Sequence, residues 1–530
     1  MCYGAPTLKG RPMFRRLLPL LLLLPAMAIG ATPKIGMNLS ATNYWVAPEP
    51  FIDHMKVSGT WIPQAGTATE PLTLTATGEP AKMPAGVTAL YTMVKMDSPG
   101  ATFDLLYDGT ATFSIRGSQV LNAAPGKIAF KWDPAATSTT GQMQLVITSG
   151  TPSNIRIVRD DQLPLFQAGE IFQPDYLALL KGLYHVRVMD WMRTNGSQRT
   201  DVLLEWGGSY GVQPVPLSAI IALSNKTGAR PWITLPAHIS DAGISATFAY
   251  IDANLRADLK AIVEYSNEVW NTQFEQSKWA ASQPTARSGT GGATAYFYGL
   301  QVARVAKLAR GHRVGVVAMW QFVGLSRFVS DVYPGFKDGG ALDSDLEAIG
   351  GANYLYGTLN NYTLPDGPKF MAANDIAGAL ANVAAQIPSD AATHAKWVAF
   401  AASHGWKNWT YEGGQYHLNT LYFGTNAEPL RLFYKTVQED PRAAGNIKAE
   451  LDAAGTAGVD AVTVYNLSTA STQDGYFGII NQPASWAVYQ SAIAASAAPV
   501  IDETAVLQDL QARIKAIADV VDQILARRSR

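Results

Sequence analysis

Cysteine is almost missing from this sequence. The 530 residues include one, Cys2, and it precedes the segment where a leader would be cut. A mature protein without it holds no disulfide and no thiol chemistry, and must rest on its core. Histidine is scarce as well: seven residues, scattered, with no H-E-x-x-H pair and no cysteine pairs to complete a zinc site. No metal and no cofactor is expected. Neither a G-x-S-x-G elbow nor a Walker loop occurs. "GTGGA" (289–293) lacks the lysine a phosphate loop needs and reads as a flexible loop. Charge is sparse and balanced, with a formal net of −1 and no Lys/Arg run, so no nucleic-acid partner is expected. After the N-terminal apolar run, no segment is long enough to span a bilayer.

That N-terminal run is the first thing the sequence does have. "RPMFRRLLPLLLLLPAMAIGATP" gives a basic stretch, a short apolar run and small residues around Ala26–Ala31. The expectation is a signal peptide over 1–31 and a secreted or periplasmic bacterial protein, with no membrane partner once the leader is removed. A membrane anchor is the alternative. Residues before Met13 add nothing to such a signal, so translation can start at Met1 or Met13. Aromatic residues are plentiful: 13 Trp, 22 Tyr and 18 Phe. They suit the apolar faces of sugars, and a large core consumes them equally well.

From about residue 162 onward, helix-like and strand-like runs alternate. "DYLALLKGL" precedes "YHVRVMDWM"; "PLSAIIALSNKTG" ends at Gly228, a helix stop, before "RPWITLPAH"; "FAYIDANLR" precedes "KAIVEYSNE". The pattern runs on through "RVGVVAMWQF", "DLEAIGGANYL", "WKNWTYEGG" and "VDAVTVYNL". Alternating helices and buried strands call for a parallel sheet with crossover helices. Seven strands from 184 onward, plus "KIGMNLSA" (34–41) and a candidate first helix in "EPFIDHMKVSG", make eight units. The expected fold class is α/β, a closed (β/α)8 TIM barrel.

Residues 67–160 have another texture. Short alternating runs with regular turn residues predict an antiparallel β-sandwich inserted in the first βα loop, with Asp108–Gly109 as a two-residue hairpin. This insert either binds glycan or walls the cleft. The expected domains are then 1–31, 32–66 for the first βα unit, 67–160 for the sandwich, 161–497 for the rest of the barrel and 498–530 for a C-terminal helix. In that helix Leu507, Leu510, Ile514, Ile517, Val521 and Ile524 form an a/d seam. It predicts either a homo-oligomeric coiled coil or one amphipathic helix lying on the barrel.

The residues with chemistry lie at strand ends, which in such a barrel face the active side. Glu268 follows Asn267 at the end of the fourth strand, in "VEYSNEVWN". Glu412 ends the seventh, in "WTYEGGQYH". Two facing carboxylates are what glycoside cleavage needs, one protonated to donate and one ionised to attack. A separation of about 5–5.5 Å permits direct attack and retention; about 6.5–9.5 Å admits water and inverts.

A strand-four "NE" followed by a strand-seven glutamate resembles the clan A glycoside hydrolases, retaining (β/α)8 enzymes that include many cellulases, xylanases and mannanases. The resemblance covers roughly 34–66 and 160–497. The opening "KIGMNLSATNYW…PFIDHMK" is also similar to secreted bacterial proteins labelled cellulose-binding. The resemblance to the clan implies Glu268 as acid/base, Glu412 as nucleophile and Asn267 as the contact to the hydroxyl beside the anomeric carbon. It implies Arg187 as the cation near the nucleophile, and His238 and Tyr354 as helpers. Where the clan often has a strand-eight Trp platform, this chain has Tyr465. Arg187 has a simpler alternative, an ion pair with Asp190, and His238 and Tyr354 can be core residues. Trp45, Trp191, Trp270 and Trp320 fall at or after strand ends, as sugar platforms or as core.

The expected function is that of a secreted retaining glycosidase cleaving β-glycosidic bonds of a polysaccharide. Two alternatives stay open: a non-catalytic carbohydrate-binding protein, and a structural or receptor-binding surface or virion protein built on such a barrel.

Overall fold

The computed structural model describes residues 32–497, except 76–77, 97, 134–141, 207–213, 285–291, 360–365, 416–426 and 470–475; beyond 497 it describes only Lys515. The expected leader (1–31) and the heptad seam (507–524) lie outside the described residues.

Eight parallel strands form one sheet. They are β1 (Lys34–Asn38), β2 (His185–Arg187), β3 (Arg230–Leu235), β4 (Ala261–Tyr265), β5 (Val314–Trp320), β6 (Leu346–Gly351), β7 (Lys407–Asn408) and β8 (Ala461–Val464). From β1 to β7 each pairs with its sequence neighbour, and β1 also pairs with β8. The ring closes between β7 and β8. Trp409 and Ala461 form a parallel bridge, Asp460 N donates to Asn408 O at 2.9 Å, and Thr410 N donates to Ala461 O at 3.0 Å. The chain is a (β/α)8 barrel.

The sequence dictates this because the strands are buried on both faces and read as continuous apolar runs. Every residue of β5, "VGVVAMW", is buried. Alternate side chains then serve two cores. Val317 and Met319 point into the barrel with Trp232, Ile262 and Trp409, whereas Ala318 and Trp320 point out to the helix layer. Helix boundaries follow local rules. The helix Leu217–Thr227 stops at Gly228, whose φ of 79° suits glycine and whose N–H donates to Ser224 O. At Gly36 the requirement is space, since a Cβ there would lie 1.9 Å from His185 Nε2.

Between β1 and β2 the chain leaves the barrel and builds two four-stranded antiparallel sheets. One holds Ile62–Gly66, Val87–Lys95, Gln142–Gly150 and Ala111–Arg116; the other holds Ser118–Ala124, Lys127–Trp132, Thr102–Asp108 and Ser153–Arg159. Their facing side chains, among them Leu90, Phe103, Phe130, Trp132, Leu145 and Ile157, make a separate core. Asp53 joins the two domains: it bridges to Val158, and its Oδ1 accepts from Met55 N and Ile157 N, both at 3.1 Å.

Three expectations are corrected here. The sandwich begins at Ile62 rather than 67, because Ile62–Gly66 pairs with Val87–Lys95. "EPFIDHMKVSG" forms only a short 3-10 turn, His54–Val57, which Asp53 caps while the same carboxylate oxygen accepts from the sandwich at Ile157 N. Asp108–Gly109 is not a hairpin, since Thr102–Asp108 and Ala111–Arg116 lie in different sheets and the turn is a corner between them. A tight hairpin does form over Pro125–Gly126, between two strands that pair directly.

Candidate active site

The site grows from the inward positions at the C-terminal ends of the strands. Arg187 ends β2 on the inward parity, fully buried. Glu264, on β4, shares that parity with Ile262 and is also buried. After β4 the backbone turns sharply: Ser266 and Glu268 take φ of 58° and 42°. Left-handed backbone at a non-glycine residue costs about 1–2 kcal/mol and persists where surrounding bonds enforce it. Here Ser266 N donates to Leu235 O at 3.0 Å, and Gln276 Nε2 donates to Asn267 O at 2.8 Å.

Arg187 is the hub. Its Nε donates to Glu264 Oε2 at 2.9 Å, one terminal nitrogen donates to both Asn38 (3.0 Å) and Glu412 Oε1 (2.7 Å), and the other donates to Asn267 Oδ1 at 2.7 Å. Trp232 and Tyr411 flank the guanidinium with ring centroids at 5.8 and 5.0 Å. Desolvation opposes the charge, but Glu264 and Glu412 outweigh it and hold the arginine firmly protonated. The alternative pairing with Asp190 is not what the structure shows: Asp190 accepts instead from the Tyr465 hydroxyl at 3.2 Å.

Glu412 and Glu268 both line one cleft of about 640 Å³. Their surroundings differ. Glu412 accepts from Arg187 and, on its other oxygen, from the Tyr354 hydroxyl at 2.7 Å. Among the described residues Glu268 forms no ion pair; it accepts from Tyr411 at 2.8 Å and from Asn271 Nδ2 at 2.9 Å. Burial, and then the charge of Glu412, push the Glu268 carboxyl up to about 7, against the two hydrogen bonds. Asp190 is pushed up to about 6, by burial first and by Glu412 second.

Not every expected residue arrives. His238 packs its ring on Trp279 at 4.2 Å and is not among the cleft-lining residues. Trp191 is a core residue, fully buried against Phe51 and Tyr176 with its Nε1 donating to Ser40 O at 3.0 Å. Trp320 is core too, because its strand parity turns it outward onto Tyr298. Neither can be a sugar platform. Trp270 lines the cleft beside Glu268. Trp45 is 56% exposed, edge-on to Tyr44, and not among the lining residues. Tyr465 stands edge-on to Tyr354 and Phe477, with centroids at 6.5 and 5.1 Å. Asn267 spends its amide within the protein, donating from Nδ2 to Asn195 Oδ1 at 3.0 Å.

Residues overlooked in the sequence reading include Glu264, Asn38, Asn271 and Tyr411. Glu264 carried a signal: an acid at an inward position of an otherwise apolar strand requires a buried donor. Among the described residues no group of three or more His, Cys, Asp or Glu could hold a metal ion. No helix of the described residues is long and apolar enough to cross a membrane.

No family model and no curated protein matches the chain. Among solved structures it is similar to a 4-O-α-L-rhamnosyl-β-D-glucuronidase from Fusarium oxysporum 12S, at 13% identity over 60% of this chain and 63% of that one, with a TM-score of 0.35. The match spans less than two thirds of that enzyme. The Clostridium thermocellum endo-1,4-β-D-xylanase 10B is matched at 10% identity over 84% and 98% of the two chains, TM-score 0.34. A fungal β-1,4-galactanase is matched at 13% identity over 62% and 96%, TM-score 0.31. Likeness this distant leaves the chemistry to be read from the chain's own residues.

Proposed function

We propose that the chain is a retaining glycosidase that cleaves β-glycosidic bonds of a polysaccharide outside the cytoplasm. One observation carries the reading: two carboxylates line one cleft, one paired with a guanidinium and a phenol, the other favouring its uncharged form and, among the described residues, without an ion pair. Divergent environments of this kind separate an acid from its anionic partner.

In this reading Glu268 gives its proton to the bridging oxygen while Glu412 attacks the anomeric carbon. The bond from that carbon to the leaving oxygen breaks as an ester to Glu412 forms. Glu268, now a carboxylate, takes a proton from water, and the resulting hydroxide displaces Glu412 to release the sugar. Arg187 and Tyr354 position Glu412, and Tyr411 and Asn271 position Glu268. Asn267, held by Arg187 and donating to Asn195, is left as a positioning residue. The basic and apolar leader in the sequence supports export, and the inserted sandwich supports a role beside the barrel mouth.

The test is a screen of the purified protein against plant and bacterial β-glycans, with product configuration read by NMR. Retention of the anomer, with loss of turnover but not of binding in Glu268→Gln and Glu412→Ala, supports the reading. Binding without turnover in the unaltered chain would leave a carbohydrate-binding protein.

A further inference from the structure

The cleft extends well past the two glutamates, over the ends of β4, β5 and β6. Trp270 and Phe274 lie on one side, Phe322 on another, and Tyr356, Gln386 and Asp390 form the far wall. Asp390 sits in the first turn of the helix Ile387–Ser403. It is a carboxylate only 5% exposed, yet its one side-chain partner among the described residues is an amide. Gln386 Nε2 donates to its Oδ2 at 2.8 Å, and Oδ1 has no partner among the described residues.

Gln386 is itself fixed. Its Nε2 also donates to Tyr354 O at 2.8 Å, and its Oε1 accepts from Tyr356 N at 3.1 Å and Gly357 N at 2.8 Å. Asp390 is therefore held ready on the cleft wall, with one oxygen left over. The lining as a whole has one sign. Among the described residues it includes three carboxylates, Glu268, Glu412 and Asp390, and no lysine, arginine or histidine. Arg187 is already committed to Glu264 and Glu412. A carboxylate this buried is costly unless a donor, best of all a cation, completes it. Burial, and then Glu450, push the Asp390 carboxyl up to about 7, as expected of an acid lacking a positive neighbour.

We propose that Asp390 determines specificity at a subsite of this cleft, and that the group it receives is a protonated amine of the glycan. The substrate is then an amino-sugar polymer, and a uronate polymer is excluded by the same field. This rests on the glycosidase reading, which makes this cleft the place where the glycan binds. The ammonium donates to Oδ1, while Tyr356 and Phe322 offer apolar surface to the ring beside it.

The experiment measures binding by calorimetry to the full chain carrying Glu268→Gln. The probes are oligomers of β-linked glucosamine, N-acetylglucosamine, glucose and glucuronate. A charge-assisted hydrogen bond predicts that the glucosamine oligomer binds about tenfold or more tighter than the acetylated and glucose oligomers, and that added salt narrows the gap. Adding Asp390→Asn should erase the preference without weakening the glucose oligomer. The probe comparison needs no change at Asp390, so a poorly folded Asp390 variant cannot hide the result. Equal affinity for amine and neutral oligomers, or a preference that survives Asp390→Asn, overturns the subsite. If the unaltered chain cleaves a neutral glycan while amine and neutral oligomers bind equally well, the glycosidase reading stands and the subsite falls. If no glycan is bound or cleaved, both fall.

Discussion

Tyr411 immediately precedes Glu412 in the chain, yet its hydroxyl serves the other carboxylate, donating to Glu268 Oε1 at 2.8 Å. One short stretch after β7 therefore governs both acids. Both side chains also meet Arg187, which lies over the Tyr411 ring with its centroid at 5.0 Å and donates to Glu412 Oε1 at 2.7 Å.

Tyr411→Phe tests this link. The hydrogen bond favours the charged form of Glu268, so its loss should raise that carboxyl further. The alkaline limb of kcat/KM should move to higher pH, by about one unit for a bond worth ~1.5 kcal/mol. A pH–rate profile checks it; an unmoved limb would mean that Tyr411 does not touch the acid.

Glu268 should limit both activity and stability with pH. Its folded value of about 7 lies above its ordinary 4.5. The unfolded chain therefore ionises first, and the stability contributed by the protonated form is full below 4.5 and lost as pH rises through about 7. Glu268→Gln removes this loss. We expect the variant to lose about 10²–10⁴-fold in turnover while becoming more stable than the parent above pH 7, on the order of 1–3 kcal/mol. Urea unfolding of both proteins at pH 4.5 and pH 8 measures the difference, which should be small at the lower pH.

The barrel is legible in the sequence because doubly buried strands read as unbroken apolar runs, with Gly228 and its like marking the helix ends. The positions of Glu268 and Glu412 are legible for a related reason: each charge appears where such a run stops. Parity is harder to see. Trp191 and Trp320 also sit near strand ends, and only the inward or outward phase of each strand separates a cleft residue from a core one. Tyr411 carries no local signal because its partner, Glu268, lies 143 residues away, and Asp390 carries none because the cleft it lines is assembled from distant segments. Asp108–Gly109 misleads for the same reason: the turn is formed by tertiary packing of two sheets, which its two residues do not encode.

Arg187 has no conservative replacement. Lysine offers a point charge and cannot span Glu264, Asn38, Glu412 and Asn267 together. Arg187→Met leaves two buried carboxylates uncompensated and should cost about 3–5 kcal/mol. Arg187→Met with Glu264→Gln should recover part of that stability and none of the activity, since Glu412 still lacks its cation. Urea midpoints and turnover on the three proteins separate the two roles.

Asp53 gives a prediction away from the cleft. Burial pushes its carboxyl from 3.8 up to about 6, although it accepts from Met55 N and Ile157 N where sandwich meets barrel. Below pH 3.8 both folded and unfolded chains hold the proton; as pH rises toward 6 the unfolded chain loses it first, so stability drops across that window. Asp53→Asn keeps an acceptor for the two N–H groups and removes the charge. It should match the parent near pH 4 and exceed it at pH 7, by about 1–2 kcal/mol after solvent relaxation. Asp53→Ala strands both N–H groups and should lose about 1–3 kcal/mol at every pH. Thermal melts of the three proteins across pH 4–7 decide it. A parent curve parallel to that of Asp53→Asn would show that Asp53 titrates in the folded protein as it does in the open chain.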